Sequence, residues 1–170
     1  QIKDRGPVVK KLSEKFGIKT SYIPMNLEWL LGEDRGGTFG FYPHTYREDL
    51  LKGAKLVFGK DLTDELKKLP KPEPEYVKEQ AKSLINYTRS KFDKMGTGEL
   101  TTVLLSLGRF ETLMNGNPYP ISNMEAVKSY KGIDKELMKK VAEIKRTKKE
   151  SNGFRKRVGK YMKKFEERYG

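Results

Sequence analysis

The sequence predicts a mainly helical fold of the α+β type, with about six helices around one buried helix and a small β-hairpin in the N-terminal third. Two observations indicate the helices. Apolar residues recur every three or four positions through most of the chain after residue 44. Residues 99–114 carry apolar side chains on more than one face, which is typical of a buried helix. Glycines between two aromatic or apolar runs in 27–42 indicate the hairpin.

Residues 1–69 are expected to form a mixed α/β part with three helices. The first helix is expected over 7–16, because it begins with a proline at a favoured first position and is followed by a glycine. The second begins at 45 with a threonine and a glutamate spaced as a capping box and runs to 52. The third is expected over 62–69, where leucines recur at helical spacing.

The hairpin is expected between these helices. Residues 27–31 and 38–42 are the two apolar or aromatic runs, and a flexible loop over 32–37 joins them. A short helix at 26–31 is the competing interpretation, because Asn26 is a residue type that caps helices.

Residues 70–132 are expected to form the central helical core. A proline-rich connector at 70–74 leads into a helix that runs to about 95. The buried helix over 99–114 follows. After an evident turn, a further helix begins with a capping box between Ser122 and Glu125 and is expected to end near 132.

Residues 133–170 are expected to form two basic amphipathic helices, as an arm on one compact domain. Asp134 is the expected cap of the first helix, and Ser-Asn-Gly at 151–153 interrupts the pattern before the second. In both segments apolar residues lie on one face and Lys or Arg on the other.

Positive charge is concentrated in this arm. The 170-residue chain holds 36 Lys and Arg against 23 Asp and Glu, a formal net charge of +13. Residues 131–170 contribute 15 Lys and Arg and 6 Asp and Glu, or +9, whereas residues 1–130 contribute +4. Such asymmetry is typical of proteins that bind nucleic acid or an acidic membrane surface.

The basic helices are the predicted nucleic-acid-binding surface. Lysines outnumber arginines, which favours contacts to the phosphate backbone over reading of bases. The candidate residues are Lys139, Lys140, Lys145, Arg146, Lys148, Lys149, Arg155, Lys156, Arg157, Lys160, Lys163 and Lys164.

Aromatic residues in the hairpin region are a second candidate site. Bases of single strands stack on exposed aromatic rings, and the rings that we single out are Trp29, Phe39, Phe41 and Tyr42. The competing interpretation is that these rings form the core of the hairpin.

Composition excludes several kinds of chemistry. The chain has no cysteine and one histidine, which excludes disulfides, thiol catalysis, cysteine-based metal sites and any two-histidine metal site within one chain. The glycine-rich stretch at 32–40 lacks the Gly-Lys-Ser/Thr ending of a phosphate loop. We therefore expect no catalytic residue, metal or cofactor. Carboxylates in 28–49 leave a divalent-metal nuclease as an alternative.

The sequence thus favours a non-enzymatic protein that binds DNA or RNA, single- or double-stranded, largely independently of sequence. We expect it to act with other protein subunits in a nucleoprotein assembly of the viral or phage packaging type or the RNA-guided type. The alternative is a structural scaffold or virion protein whose basic helices contact protein neighbours. The chain shows neither a run of ~20 apolar residues nor a signal peptide. We therefore expect no membrane partner, and a location in the cytoplasm or in a virion or nucleoprotein particle.

Overall fold

The computed structural model describes residues 6–17, 50–52, 60–69, 73–120, 122–147, 149–150 and 152–170. This part of the chain is mainly helical, as predicted. The predicted hairpin at 27–42 lies outside the described residues. The helices that begin and end within this part of the chain are α1 Gly6–Phe16, α2 Thr63–Lys68, α3 Pro74–Lys91, α4 Thr97–Met114, α5 Asn123–Ser129, α6 Lys135–Thr147 and α7 Phe154–Tyr169.

The chain divides into two compact units, residues 1–43 and residues 44–170. The first unit contains α1, on which Lys10 and Glu14 form an exposed ion pair at 3.9 Å. The other helices belong to the second unit. The division at 69/70 and 132/133 that the sequence suggests stays a prediction.

Helix α4 is the centre of the second unit. Ten of its eighteen residues are buried, and it packs against α3, α5 and α6. It begins two residues earlier than the apolar pattern suggests, because the Glu99 carboxylate accepts a hydrogen bond from the Gly96 backbone N–H at 2.7 Å and caps the first turn. The prediction of a buried helix over 99–114 is confirmed.

The predicted caps of the next two helices are also present. The Ser122 hydroxyl accepts a hydrogen bond from the Glu125 N–H at 3.0 Å at the start of α5. The Asp134 carboxylate accepts one from the Leu137 N–H at 2.8 Å at the start of α6. Each cap satisfies a backbone donor that has no partner within its helix, so the sequence motifs fix where these helices begin.

Helix α7 packs antiparallel to α3. At the start of α7, the Arg155 guanidinium donates to the carbonyls of Phe92 and Met95, which follow the C-terminal end of α3. Farther along α7, Glu166 accepts two hydrogen bonds from the Arg89 guanidinium, one of them at 2.7 Å. These charge-assisted bonds fasten α7 at two heights, to the segment that follows α3 and to Arg89 of α3 itself.

A buried carboxylate joins α4 to α7 and to the segment before α6. Glu111 is fully buried on α4. It accepts hydrogen bonds from the hydroxyls of Tyr130, Tyr161 (3.2 Å) and Tyr169 (3.0 Å), and from the Ile133 backbone N–H at 3.1 Å. We call these five residues the Glu111 cluster. Four donors on one carboxylate supply the partners that a buried charge needs in place of water.

The tyrosines of this cluster stay protonated at neutral pH. Burial raises the pKa of the Tyr130 hydroxyl, and its hydrogen bond to Glu111 raises it further. Burial likewise raises the pKa of Tyr161 and of Tyr169, and the negative charge of Glu111 adds to both shifts. Each hydroxyl therefore keeps the proton that it donates. The guanidinium of Arg168 lies 3.7 Å from the carboxylate and supplies a positive charge.

Gly132 provides the space that the cluster occupies. A Cβ atom at this position would lie 2.1 Å from Oε2 of Glu111 and 2.5 Å from the Tyr130 hydroxyl. These distances are far shorter than van der Waals contact, so a side chain here would displace the carboxylate from its donors.

We expect Glu111→Ala to lower the free energy of unfolding by about 3 kcal/mol or more, because buried donors would lose their acceptor. Urea unfolding followed by circular dichroism measures this change. Glu143→Ala is the matched control, because Glu143 is exposed on α6 and the substitution removes the same charge. It should change stability by no more than about 0.5 kcal/mol. Equal effects of the two substitutions would show that the Glu111 cluster does not hold the fold together.

Candidate nucleic-acid interface

Most of the predicted basic residues lie on two helices that pack against different parts of the core. Helix α6 packs against α4 and α5, whereas α7 packs against α3. Lys149 lies in the connection between them, and Lys148 lies outside the described residues. The arm that the sequence suggested is therefore packed along the helical core, and each basic helix has its own outward face.

Helix α7 presents a row of lysines to solvent. Its buried residues are Phe154, Val158, Tyr161, Met162 and Phe165, and they hold one face against the rest of the unit. Successive helical residues are rotated by about 100°, which places the four exposed lysines within a sector of about 100°. We call these residues the lysine ridge: Lys156, Lys160, Lys163 and Lys164.

Most of the positive charge on this ridge is uncompensated. Lys163 lies 3.8 Å from Glu167 in an exposed pair of the i,i+4 type, which is weak in water. Lys156, Lys160 and Lys164 have no acidic partner within 4.0 Å in the part of the chain that the structure describes. The three ammonium groups are therefore available to an external anion.

The two arginines of α7 among the candidates are engaged within the protein. Arg155 donates to two backbone carbonyls and lies 3.8 Å from Glu150. Arg157 donates two hydrogen bonds to Asp134, at 2.9 and 3.1 Å. Both side chains thus tie α7 to other parts of the fold, a distinction that the spacing of charges along the sequence does not reveal.

Helix α6 presents a surface of mixed charge. Its exposed residues include acidic Glu136 and Glu143 as well as the candidate cations. Lys139 donates to Glu136 at 2.8 Å, and this hydrogen bond lowers the pKa of the Glu136 carboxyl. Lys140 and Arg146 have no ion-pair partner among the residues described. The positive charge on α6 is therefore interrupted, in contrast to that of the lysine ridge.

A groove of about 390 Å³ between α3 and α7 shows no excess of positive charge. Ile85 and Phe165 lie at its apolar base, and Glu75, Lys78, Glu79 and Lys82 line its sides. Glu166 is a third carboxylate of the lining and pairs with Arg89, so the two lysines face at least as many acidic groups and give the groove no electrostatic preference for a polyanion.

The structure adds one cation that the sequence analysis did not single out, Arg109 on α4. Its Nε donates to the Pro120 carbonyl at 3.0 Å and its Nη2 donates to Asn123 Oδ1 at 3.0 Å. The guanidinium also lies 5.8 Å from the centre of the Tyr119 ring. The available signal was that Arg109 is the one basic residue in the sequence of α4, a helix rich in apolar residues, where a charge is expected to have specific partners.

The candidate residues of the N-terminal third cannot be assigned to a site. The aromatic rings proposed for base stacking and the carboxylates of 28–49 lie outside the described residues. Within the residues that are described, no group of three or more His, Asp or Glu side chains is arranged to hold a metal ion. In that same part, no helix combines the length and apolar character needed to cross a membrane.

Comparison with known proteins gives no relative from which a function can be transferred. No protein-family model matches the chain, and neither a curated protein nor a solved structure shows significant similarity to it. Function must therefore be inferred from the geometry and charge of the residues described above.

Neighbouring residues on α7 provide a test of the division between engaged and available cations. We expect Arg155→Gln to lower the free energy of unfolding by about 1–3 kcal/mol, because a glutamine side chain cannot donate to both the Phe92 and the Met95 carbonyl. Lys156→Gln removes the same charge from the next, exposed position and should change stability by less than about 0.5 kcal/mol. Thermal and urea unfolding of both variants measure the difference. A larger loss for Lys156→Gln would contradict the assignment.

Proposed function

We propose that the chain is a non-enzymatic nucleic-acid-binding protein that holds the phosphate backbone on the lysine ridge of α7. The observation that carries this proposal is the set of three exposed lysines, Lys156, Lys160 and Lys164, with no acidic partner among the described residues. Lys163 adds a fourth ammonium group to the same face, since its exposed pair with Glu167 is weak enough to exchange for a phosphate.

The spacing of the ridge suits a polyanion that lies along the helix. Lys156 and Lys164 are eight residues apart, which corresponds to about 12 Å along the helix axis at 1.5 Å per residue. A nucleic-acid strand carries a charge at every nucleotide, so several phosphates lie within this length. Each phosphate that a lysine neutralises releases condensed counterions, which supplies affinity without regard to sequence.

The packing of α7 lowers the cost of binding. Hydrogen bonds from Arg155, Arg157 and the Glu111 cluster hold the helix in place before any ligand arrives. A preformed helix loses little backbone freedom on binding, in contrast to a basic tail that folds on its ligand. The exposed cations of α6, namely Lys139, Lys140, Lys145 and Arg146, lie on a face of their own, where Glu136 and Glu143 interrupt the positive charge.

We also propose that the chain works as one subunit of a larger nucleoprotein assembly, of the viral or phage packaging type or the RNA-guided type. Lysines on phosphates give little selectivity among sequences, and in such an assembly a partner subunit or a guide strand would supply the selectivity. Such a role places the chain in the cytoplasm or within the particle.

Light scattering with and without an oligonucleotide tests this role. Self-assembly of the protein alone would favour a scaffold whose basic helices contact protein neighbours.

The triple substitution of Lys156, Lys160 and Lys164 by Gln tests the ridge. Fluorescence anisotropy with labelled 20-nucleotide single strands and 20-base-pair duplexes, at about 0.1 M salt, should show an affinity at least about tenfold lower than that of the unsubstituted chain. The fold should be retained, because all three side chains are exposed and the buried face of α7 is unchanged.

A matched triple variant serves as the control. Lys11, Lys68 and Lys128 are exposed lysines on α1, α2 and α5, and their replacement by Gln removes the same total charge. This control should keep most of the affinity. If the two triple variants lose affinity equally, net charge alone accounts for binding and the ridge is not the site.

A further inference from the structure

One tyrosine ring on α3 is exposed to solvent. Among the aromatic side chains that the structure describes in the second unit, Tyr87 alone is exposed, with a relative accessibility of 53%. The other described rings of this unit are buried or half-buried. An exposed ring leaves a large flat apolar area in water, and a ligand with a flat apolar face can cover it.

A cation lies beside this ring. The Lys91 ammonium group, one helical turn further along α3, lies 4.6 Å from the centre of the Tyr87 ring and 3.4 Å from its hydroxyl. No acidic group forms an ion pair with Lys91 in the ranges of the chain that the structure describes. The acidic residues of α3, Glu75 and Glu79, lie about 120° and 80° around the helix from Tyr87. An exposed ring and an uncompensated ammonium group therefore share one face of α3.

This pair lies toward the end of the unit at which the lysine ridge begins. The Arg155 guanidinium donates to the carbonyls of Phe92 and Met95, which follow Lys91 in the chain. Lys156, the first lysine of the ridge, is the residue next to Arg155. The hydrogen bonds of Arg155 thus bring the start of the ridge to the end of α3 that carries Tyr87 and Lys91.

We propose that Tyr87 and Lys91 form a site for one nucleotide of a single strand whose backbone continues onto the lysine ridge. The inference rests on the proposed function, and it names single-stranded nucleic acid as the preferred ligand. A base of a single strand is free to stack on an aromatic ring, whereas the bases of a duplex are already paired and stacked on one another.

The two side chains have separate tasks at this site. The ring of Tyr87 stacks on the base, and the Lys91 ammonium group pairs with the phosphate of the same nucleotide. Lys91 can leave the ring for the phosphate, because a cation–π contact at an exposed position is weak compared with the stacking of a base on an aromatic side chain.

The anisotropy assay with the full chain tests the site. Tyr87→Leu should weaken binding of the single strand at least about fivefold, because a leucine offers no ring on which a base can stack. Its affinity for the duplex should change by less than about twofold, because paired bases do not reach the ring. Tyr87→Phe keeps the ring and should keep the affinity for the single strand. Both variants should fold, since the side chain is exposed.

Met124→Ala is the matched control, because Met124 is another exposed large apolar residue, on α5. It should leave both affinities unchanged. The site is overturned if Tyr87→Leu loses no more affinity for the single strand than this control, if it loses as much for the duplex, or if Tyr87→Phe loses as much as Tyr87→Leu. When the ridge variant still loses affinity in those cases, the proposed function stands. If no form of the chain binds either oligonucleotide, the proposed function fails and the inference fails with it.

Photochemical crosslinking provides a direct readout of the contact. A single strand that contains 5-iodouracil forms adducts with aromatic side chains that lie against the base, and mass spectrometry of the digested protein locates them. An adduct at Tyr87 is expected. Adducts confined to other residues would contradict the site.

Discussion

The buried carboxylate of Glu111 is the constraint on which the arrangement of the second unit depends. A charge in the interior is tolerated only when polar partners replace the water that it has lost. Here the partners come from the 130–133 segment and from both Tyr161 and Tyr169 of α7. If any of these elements moved away from α4, the carboxylate would lose donors, so one residue fixes the position of several elements at once.

This constraint also sets the rotation of α7 about its axis. At about 100° per residue, Tyr169 lies roughly opposite to the centre of the lysine ridge, and Tyr161 lies about 110° away from it. When the two hydroxyls reach Glu111, the ridge must face solvent. The same hydrogen bonds that stabilise the fold therefore present the ammonium groups to an external anion.

Arginine and lysine perform different tasks on α7, and their chemistry explains the division. The guanidinium is a planar fork that donates to two acceptors at once, as Arg155 does with two carbonyls and Arg157 with one carboxylate. An ammonium group on a flexible stem makes no such fixed pair and stays hydrated at the surface. The arginines consequently position the helix, and the lysines are left for a ligand.

Local patterns in the sequence predicted the parts of the fold that local physics determines. The apolar positions of α4 and α7 and the caps at Ser122 and Asp134 are examples, because a helical stripe and a capping side chain act within a few residues. The same patterns located the exposed lysines of α7. They also overextended α5, which ends at Ser129 because Tyr130 adopts an extended backbone and places its hydroxyl on Glu111.

Contacts between distant residues were beyond this kind of prediction. The Glu111 cluster joins residues 19 to 58 positions apart, and no local periodicity indicates which tyrosines meet one glutamate. Arg155 and Arg157 were grouped with the lysines for the same reason, because their partners lie 60 and 23 positions away. Arg109 was missed because its acceptors, the Pro120 carbonyl and the Asn123 side chain, lie 11 and 14 positions away and approach it only in the folded unit.

The salt dependence of binding tests the central claim most directly. The affinity of the full chain for a 20-nucleotide strand or a 20-base-pair duplex can be measured between 50 and 300 mM salt. The account predicts a linear fall of the logarithm of the association constant with the logarithm of the salt concentration. If all four ridge lysines neutralise phosphates, the slope should be about −3 or steeper. A slope near zero, or no binding at the lowest salt concentration, would contradict it.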